Sequence, residues 1–154
     1  MREFSRSLPM VLLRAREAVM RQFRPALRDH GLTEQQWRIL RALGAIEQIE
    51  VSELARETFL LGPSLSRILR DLEARRLIRR RSPQSDLRRG LVSIAPAGLA
   101  LIEAVAPNSE AIYAEITRRY GGKKLEALHL MLRELETELM AIPLAHGGDD
   151  EAGD

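Results

Sequence analysis

The sequence predicts a mainly α-helical chain with one short β-hairpin in its second half. Three observations carry that reading. Apolar residues recur at helical spacing through most of the 154 residues. The period changes after Leu77, where Leu77-Ile78 and Leu91-Val92-x-Ile94 bracket a polar stretch rich in turn-forming residues. Between Ser64 and Gly90 stand nine arginines against three acids, a net of +6, which leaves −4 for the rest of a chain whose net charge is +2. Charge is therefore segregated, which favours an anionic partner at one face over a generally basic protein.

The first predicted helix runs from Phe4 to about His30. Phe4, Leu8, Val11, Leu12, Ala15, Val19, Phe23 and Ala26 share one broad stripe. Pro25 is expected to kink or locally break it. Arg16 projects to the edge of the stripe, between Phe23 and Leu27, roughly 20° from each. A guanidinium in that place either snorkels or pairs with a carboxylate, or it faces a bound anion, since a charge among apolar neighbours needs a partner. His30-Gly31 is the stop.

Thr33 opens a second helix, with Gln36 completing a capping box. Trp37, Leu40, Leu43 and Gly44 mark its inner face. Trp37, the one Trp of the chain, is either core or a wall for an aromatic ligand. Gln48–Val51 is a strand candidate. Ser52 with Glu53 is expected to cap the next helix, whose inner side is Leu54, Ala55 and Thr58 or Phe59. Leu60-Leu61-Gly62 turns the chain into a further helix. There Pro63 suits the first turn, and Leu65, Ile68, Leu69 and Leu72 form one apolar face. The opposite face carries Arg67 and Arg70, flanked by Ser64 and Ser66.

Two short helices joined by a tight turn make a helix-turn-helix, and the second is the reader. The hairpin beyond it, with a tip from Ser82 to Gly90, makes this a winged helix. A stiff helix and a hairpin both armed with guanidinium suit duplex DNA: the helix fits the major groove, the tip reaches phosphate or minor groove. Arginine gives bidentate contacts that lysine does not match.

Pro96 starts a long helix to about Tyr120, with a kink expected at Pro107 and a stop at Gly121-Gly122. The last helix, Lys123 to about Ala141, carries the stripe Leu125, Leu128, Leu132, Leu135 and Leu139. The fold class is thus a winged helix-turn-helix with long N- and C-terminal dimerisation helices. Those helices hold more apolar surface than a small winged helix covers, so a second copy of the chain is the expected cover, giving a homodimer. Residues 1–142 form the expected domain. Residues 143–154 read as a disordered acidic tail.

Several function classes are disfavoured. With no Cys, thiol sensing and Cys-ligated zinc are out. No metal is expected, because His30, His129 and His146 lack ligand spacing. The acids sit on outer helix faces, and no Gly-rich phosphate loop occurs, so no enzyme and no cofactor are expected. No apolar run reaches membrane-spanning length and no signal core is seen, so a cytoplasmic location with no membrane partner is the expectation. A winged helix used for protein or RNA contact is the rival binding class, but it needs no +6 helix and hairpin.

The pattern Ser64-x-Ser66-Arg67-x-x-x-x-Leu72-Glu73, then Leu77-Ile78-x-Arg80, resembles the reading helix and first wing strand of the multiple antibiotic resistance regulator (MarR) family of transcription factors. Asp86-x-Arg88-Arg89 resembles that family's wing signature, and the likeness spans about Leu8 to Ala141. It implies DNA contacts by Ser64, Ser66, Arg67 and Arg70 in the major groove. It also implies Arg88, beside Arg89, in the minor groove with Asp86 holding it. Leu12 to Leu43, LLRAREAVMRQFRPALRDHGLTEQQWRILRAL, is most similar to the family's homoprotocatechuate-degradation regulators. That implies a repressor of an aromatic catabolic operon, released by a small aromatic acid. Arg16 and Trp37 fit such an effector chemically, guanidinium to carboxylate and indole to ring. A regulator of drug or phenolic-stress genes is the alternative within the family. Two departures stand out: Arg76 occupies the place of a usual Gly, and Ala95 that of a usual Thr.

Overall fold

A computed structural model describes residues 1, 3–82 and 90–145. After a 3-10 turn at Phe4–Arg6, helix α1 spans Leu8–Asp29, with Pro9 in its first turn where a missing N–H costs nothing. α1 continues through Pro25. The lost backbone bond is offset by packing, because Phe23 and Leu27, on either side, are both buried. Thr33 and Gln36 exchange the two hydrogen bonds of a capping box, 3.0 and 3.1 Å, at the start of α2, Glu34–Gly44.

Next come β1 (Ile49–Glu50), α3 (Val51–Thr58), α4 (Gly62–Ala74), β2 (Ile78–Arg81), β3 (Leu91–Ile94), α5 (Pro96–Tyr120) and α6 (Gly122–Met140). The sheet is antiparallel in the order β1-β3-β2, so the hairpin gains a third strand from the segment before α3. The cap expected at Ser52 is not the one formed. α3 begins at Val51 with Glu50 as N-cap and no side-chain cap bond. The ladder sets this start: Glu50 pairs with Leu91, and the Val51 N–H donates to the Gly90 carbonyl, 3.0 Å. α5 likewise runs unbroken through Pro107, with Val105 buried and Ile112 packed against the core.

The chain divides into two compact units, Met1–Ile112 and Tyr113–Asp154. The first holds the core. Leu65, Leu69 and Leu72 of α4 are at most 1% exposed and meet Ile39, Leu40 and Leu43 of α2, Leu54 of α3, Val92 of β3 and Leu27 of α1. Each such side chain contributes about 1.5–3 kcal/mol by leaving water. Phe59 is not on the inner side of α3; Thr58 is, and Phe59 is 84% exposed. The stripe expected from Phe4 to Ala26 is split, its first residue lying in the 3-10 turn and not in α1. Phe23 and Leu27 are buried, whereas Phe4, Leu8, Val11, Leu12 and Val19 are exposed.

In the second unit no residue of α6 is buried, and Leu130, Met131, Leu132, Leu139 and Met140 are exposed. Arg118 and Arg119 flank Glu115 and hold its carboxyl down at about 2. Of the tail expected over residues 143–154, residues 146–154 lie outside the described residues.

Three helix ends share one geometry. After α1, the Leu32 N–H reaches the Leu27 carbonyl and Gly31 reaches Arg28, both 2.9 Å, with Gly31 at φ +68°. After α4, Leu77 reaches Leu72 (3.0 Å) and Arg76 reaches Glu73 (2.9 Å). This is the Schellman closure. After α3, Leu60 bonds back to Ala55 across a left-handed Phe59. Arg76 therefore does take the left-handed conformation, φ +59°, where a side chain costs about 1–2 kcal/mol. Arg76→Gly removes that cost and adds unfolded-chain entropy, so it is expected to raise stability by roughly 0.5–1 kcal/mol, read as a higher denaturant midpoint at unchanged slope.

Candidate nucleic-acid interface

The buried leucine face of α4 fixes which side of that helix meets solvent. Ser66, Arg67 and Arg70 are exposed and Ser64 is half-buried. None of the four side chains has a hydrogen-bond or ion-pair partner among the described residues, so their donors are free for an outside acceptor. Arg67, Ser64, Ile68 and Asp71 of α4 form one wall of a cavity of about 320 Å³. Thr33, Gln35 and Gln36 at the start of α2 form the other.

On the wing, Arg79, Arg80 and Arg81 of β2 are all exposed. Arg79 and Arg81 pair with Ser93 and Leu91 across the ladder, on the face opposite Ile78 and Val92. The sequence reading counted these arginines in the charge run without assigning them to the interface; strand alternation was the available signal. Asp86, Arg88 and Arg89 lie outside the described residues, so the structure brings together only the α4 part of the expected DNA-binding set.

The arm formed by α1 and α2 holds the other expected site residues. Arg16 pairs with Glu34 at 3.1 Å and stands 3.6 Å from Glu17. Arg24 bridges the same two acids, 2.9 Å to Glu17 and 3.2 Å to Glu34. Arg16 thus has the carboxylate partner that its place in the stripe requires, with 43% of its side chain still exposed.

Trp37 is half-buried against the core, and the Arg41 guanidinium lies over its ring, 5.9 Å from the centroid. Arg41 has no carboxylate partner among the described residues. It was missed in the sequence, although i, i+4 spacing on α2 places it over Trp37. Arg24 was also missed, because its partner Glu34 comes from another helix.

The hydrogen bond from Arg24 holds the Glu17 carboxyl below its ordinary value of 4.5, with the charges of Arg24 and Arg16 adding to it. The stabilising contribution of a depressed carboxyl is present above the unfolded value and fades as pH falls through the folded one. Carboxyl NMR is expected to show Glu17 titrating below 4.5 and returning toward it in Arg24→Ala.

A winged helix-turn-helix with free arginines on its reading helix defines a DNA-binding transcriptional regulator, not an enzyme. The MarR family model matches residues 30–89. The homoprotocatechuate degradative operon repressor of Escherichia coli is 38% identical over 128 residues, 83% of this chain and 86% of that protein. Among solved structures, NadR in complex with 4-hydroxyphenylacetate is 34% identical at a TM-score of 0.74, covering 93% of this chain and 99% of that one. The repressor CouR, solved on a 23-mer DNA duplex, is 26% identical at a TM-score of 0.78, covering 87% and 95%. The chain belongs to the MarR family. Among the described residues no helix is long and apolar enough to cross a membrane.

Proposed function

We propose that the protein represses an aromatic-compound catabolic operon, binds its operator as a twofold dimer, and leaves it when a small aromatic carboxylate binds. The observation that carries this reading is the outer face of α4, where Ser66, Arg67 and Arg70 stand exposed and unpaired on a helix locked by its buried leucines. Ser64, Ser66, Arg67 and Arg70 enter the major groove, where arginine reads a guanine edge. Arg88 and Arg89, steadied by Asp86, reach the minor groove beside it.

The bare apolar residues Phe4, Leu8 and Val11 supply a dimer surface in the first unit, and the exposed leucines of α6 supply one in the second. Two reading helices then address half-sites about one helical turn apart, ~34 Å. Residues 1–142 work as one functional domain and residues 143–154 as an acidic tail. The site of action is the cytoplasm, where operator DNA lies.

For the effector, Trp37 offers the wall for the ring and a guanidinium takes the carboxylate. Two arginines are at hand: Arg16, which exchanges Glu34 for the ligand, and Arg41, already seated on Trp37. The likeness to NadR, solved with 4-hydroxyphenylacetate, supports this ligand class. The ligand works only through its difference in affinity between the DNA-competent form and the released one. A coupling of about 1–3 kcal/mol weakens operator binding roughly 5- to 150-fold.

The deciding experiment is a gel shift on the upstream DNA across salt concentrations, with and without 4-hydroxyphenylacetate. A dimer with a steep salt slope that is released by the acid supports the reading. Binding indifferent to duplex sequence, or a protein that stays monomeric, sinks it. Arg67→Ala and Arg70→Ala are each expected to cost about 1–3 kcal/mol and to relax sequence preference, whereas Arg88→Ala weakens all duplexes and lowers the salt slope. Losing a charged hydrogen bond costs about 1.5–3 kcal/mol. Arg16→Ala and Arg41→Ala are thus each expected to raise the acid concentration needed for release at least about tenfold with DNA binding intact. A variant that keeps the wild-type response shows that its arginine is structural.

A further inference from the structure

Two arginines bridge the α1–α2 arm and the helix-turn-helix by bonds to backbone carbonyls. Arg38 of α2 donates to the Thr58 carbonyl at the end of α3, 2.8 Å. Arg75, the C-cap of α4, donates to the Gly31 carbonyl between α1 and α2, also 2.8 Å and 44 residues away in sequence. The second contact is closely seated. A Cβ on Gly31 would stand 3.4 Å from Arg75 Nη2, so the guanidinium rests against the corner itself. The acceptor is a backbone carbonyl, and the donor is an exposed side chain whose residue closes α4. Gly31 sits in the left-handed closure of α1, and Arg75 immediately precedes left-handed Arg76 in the closure of α4. The bond joins two helix ends, each closed by backbone hydrogen bonds.

The place of the corner gives the bond its interest. Glu34, three residues beyond Gly31, accepts both Arg16 and Arg24, and Trp37 follows one turn later on α2. A ligand that exchanges with Glu34 or stacks on Trp37 therefore acts within about two turns of the Gly31 carbonyl. A hydrogen bond to a carbonyl is lost over a shift of an ångström or less. Arg75 caps the C-terminal end of the reading helix, so its bond ties that end of α4 to the corner.

We infer that Arg75 is a positioning residue that locks the tilt of the reading helix to the α1–α2 arm and carries effector occupancy to the DNA-binding face. The effector half of this inference rests on the proposed function; the tilt half does not. Coupling between sites is demonstrated only when an element biased by both is perturbed, and Arg75 can be altered without touching Trp37, Arg16 or the outward face of α4.

The test uses the full-length protein and an operator selected from a random duplex pool. Wild type, Arg75→Gln and Arg75→Lys are compared in two assays. The first is the ratio of operator affinities without and with saturating 4-hydroxyphenylacetate. The second is the ratio of affinities for the selected operator and for one with a single base pair inserted between half-sites. Arg75→Gln is expected to keep its helical circular dichroism and to bind the operator. Both of its ratios should fall at least about threefold toward one, with Arg75→Lys between it and wild type.

A purely structural arginine would lower the melting temperature and leave both ratios at wild-type values, and that result overturns the inference. If wild type itself is not released by the acid, the proposed effector class fails. The spacing ratio then decides Arg75 alone. If Arg75→Gln does not fold, Arg75→Lys carries the same comparison, and wild-type ratios in it overturn the inference equally.

Discussion

The packing of one leucine face decides the rest of this molecule. Leu65, Leu69 and Leu72 of α4 are held in the core by α1, α2, α3 and β3. A helix turns by about 100° per residue, so burying those three fixes Ser66, Arg67 and Arg70 on the outside. Arg67 and Arg70 are not oriented by contacts of their own; they have no partner among the described residues, and the rod that carries them is what is oriented. That division suits a DNA reader. The energy of folding comes from apolar burial, and the polar atoms that would meet a base edge or phosphate remain unspent.

Much of this was readable in the sequence because it is local. The face of α4 follows from spacing alone, the Thr33–Gln36 box from two residues three apart, and the stop at Gly31 from a single glycine. What sequence reasoning missed depends on partners far along the chain. Ser52 has the right side chain to cap α3, but pairing of Glu50 with Leu91 begins the helix earlier. Pro25 and Pro107 look like places for a kink or break, yet α1 and α5 continue through them, α1 with Phe23 and Leu27 buried on either side and α5 with Val105 buried before its proline and Ile112 partly buried after it.

The site was legible to a different degree. The arginine and serine positions on α4 were found, and the position of Arg16 at the edge of an apolar stripe announced a charged partner without naming it. Glu34 is that partner, 18 residues on, and helical spacing within α1 contains no trace of it. Arg41 over Trp37 lay within reach, four residues apart on one helix. The strand arginines of β2 were seen as charge and not as geometry, because their alternation becomes meaningful only once the register with β3 is set.

The left-handed corner at Arg76 has a consequence for how such a chain can drift. Glycine would fit the backbone better, yet it would strip one of the nine cations from the stretch between Ser64 and Gly90. Backbone comfort and electrostatic reach are in competition at a single position. Heat tolerance and affinity for a polyanion would then move in opposite directions when that residue changes, with little else in the protein disturbed.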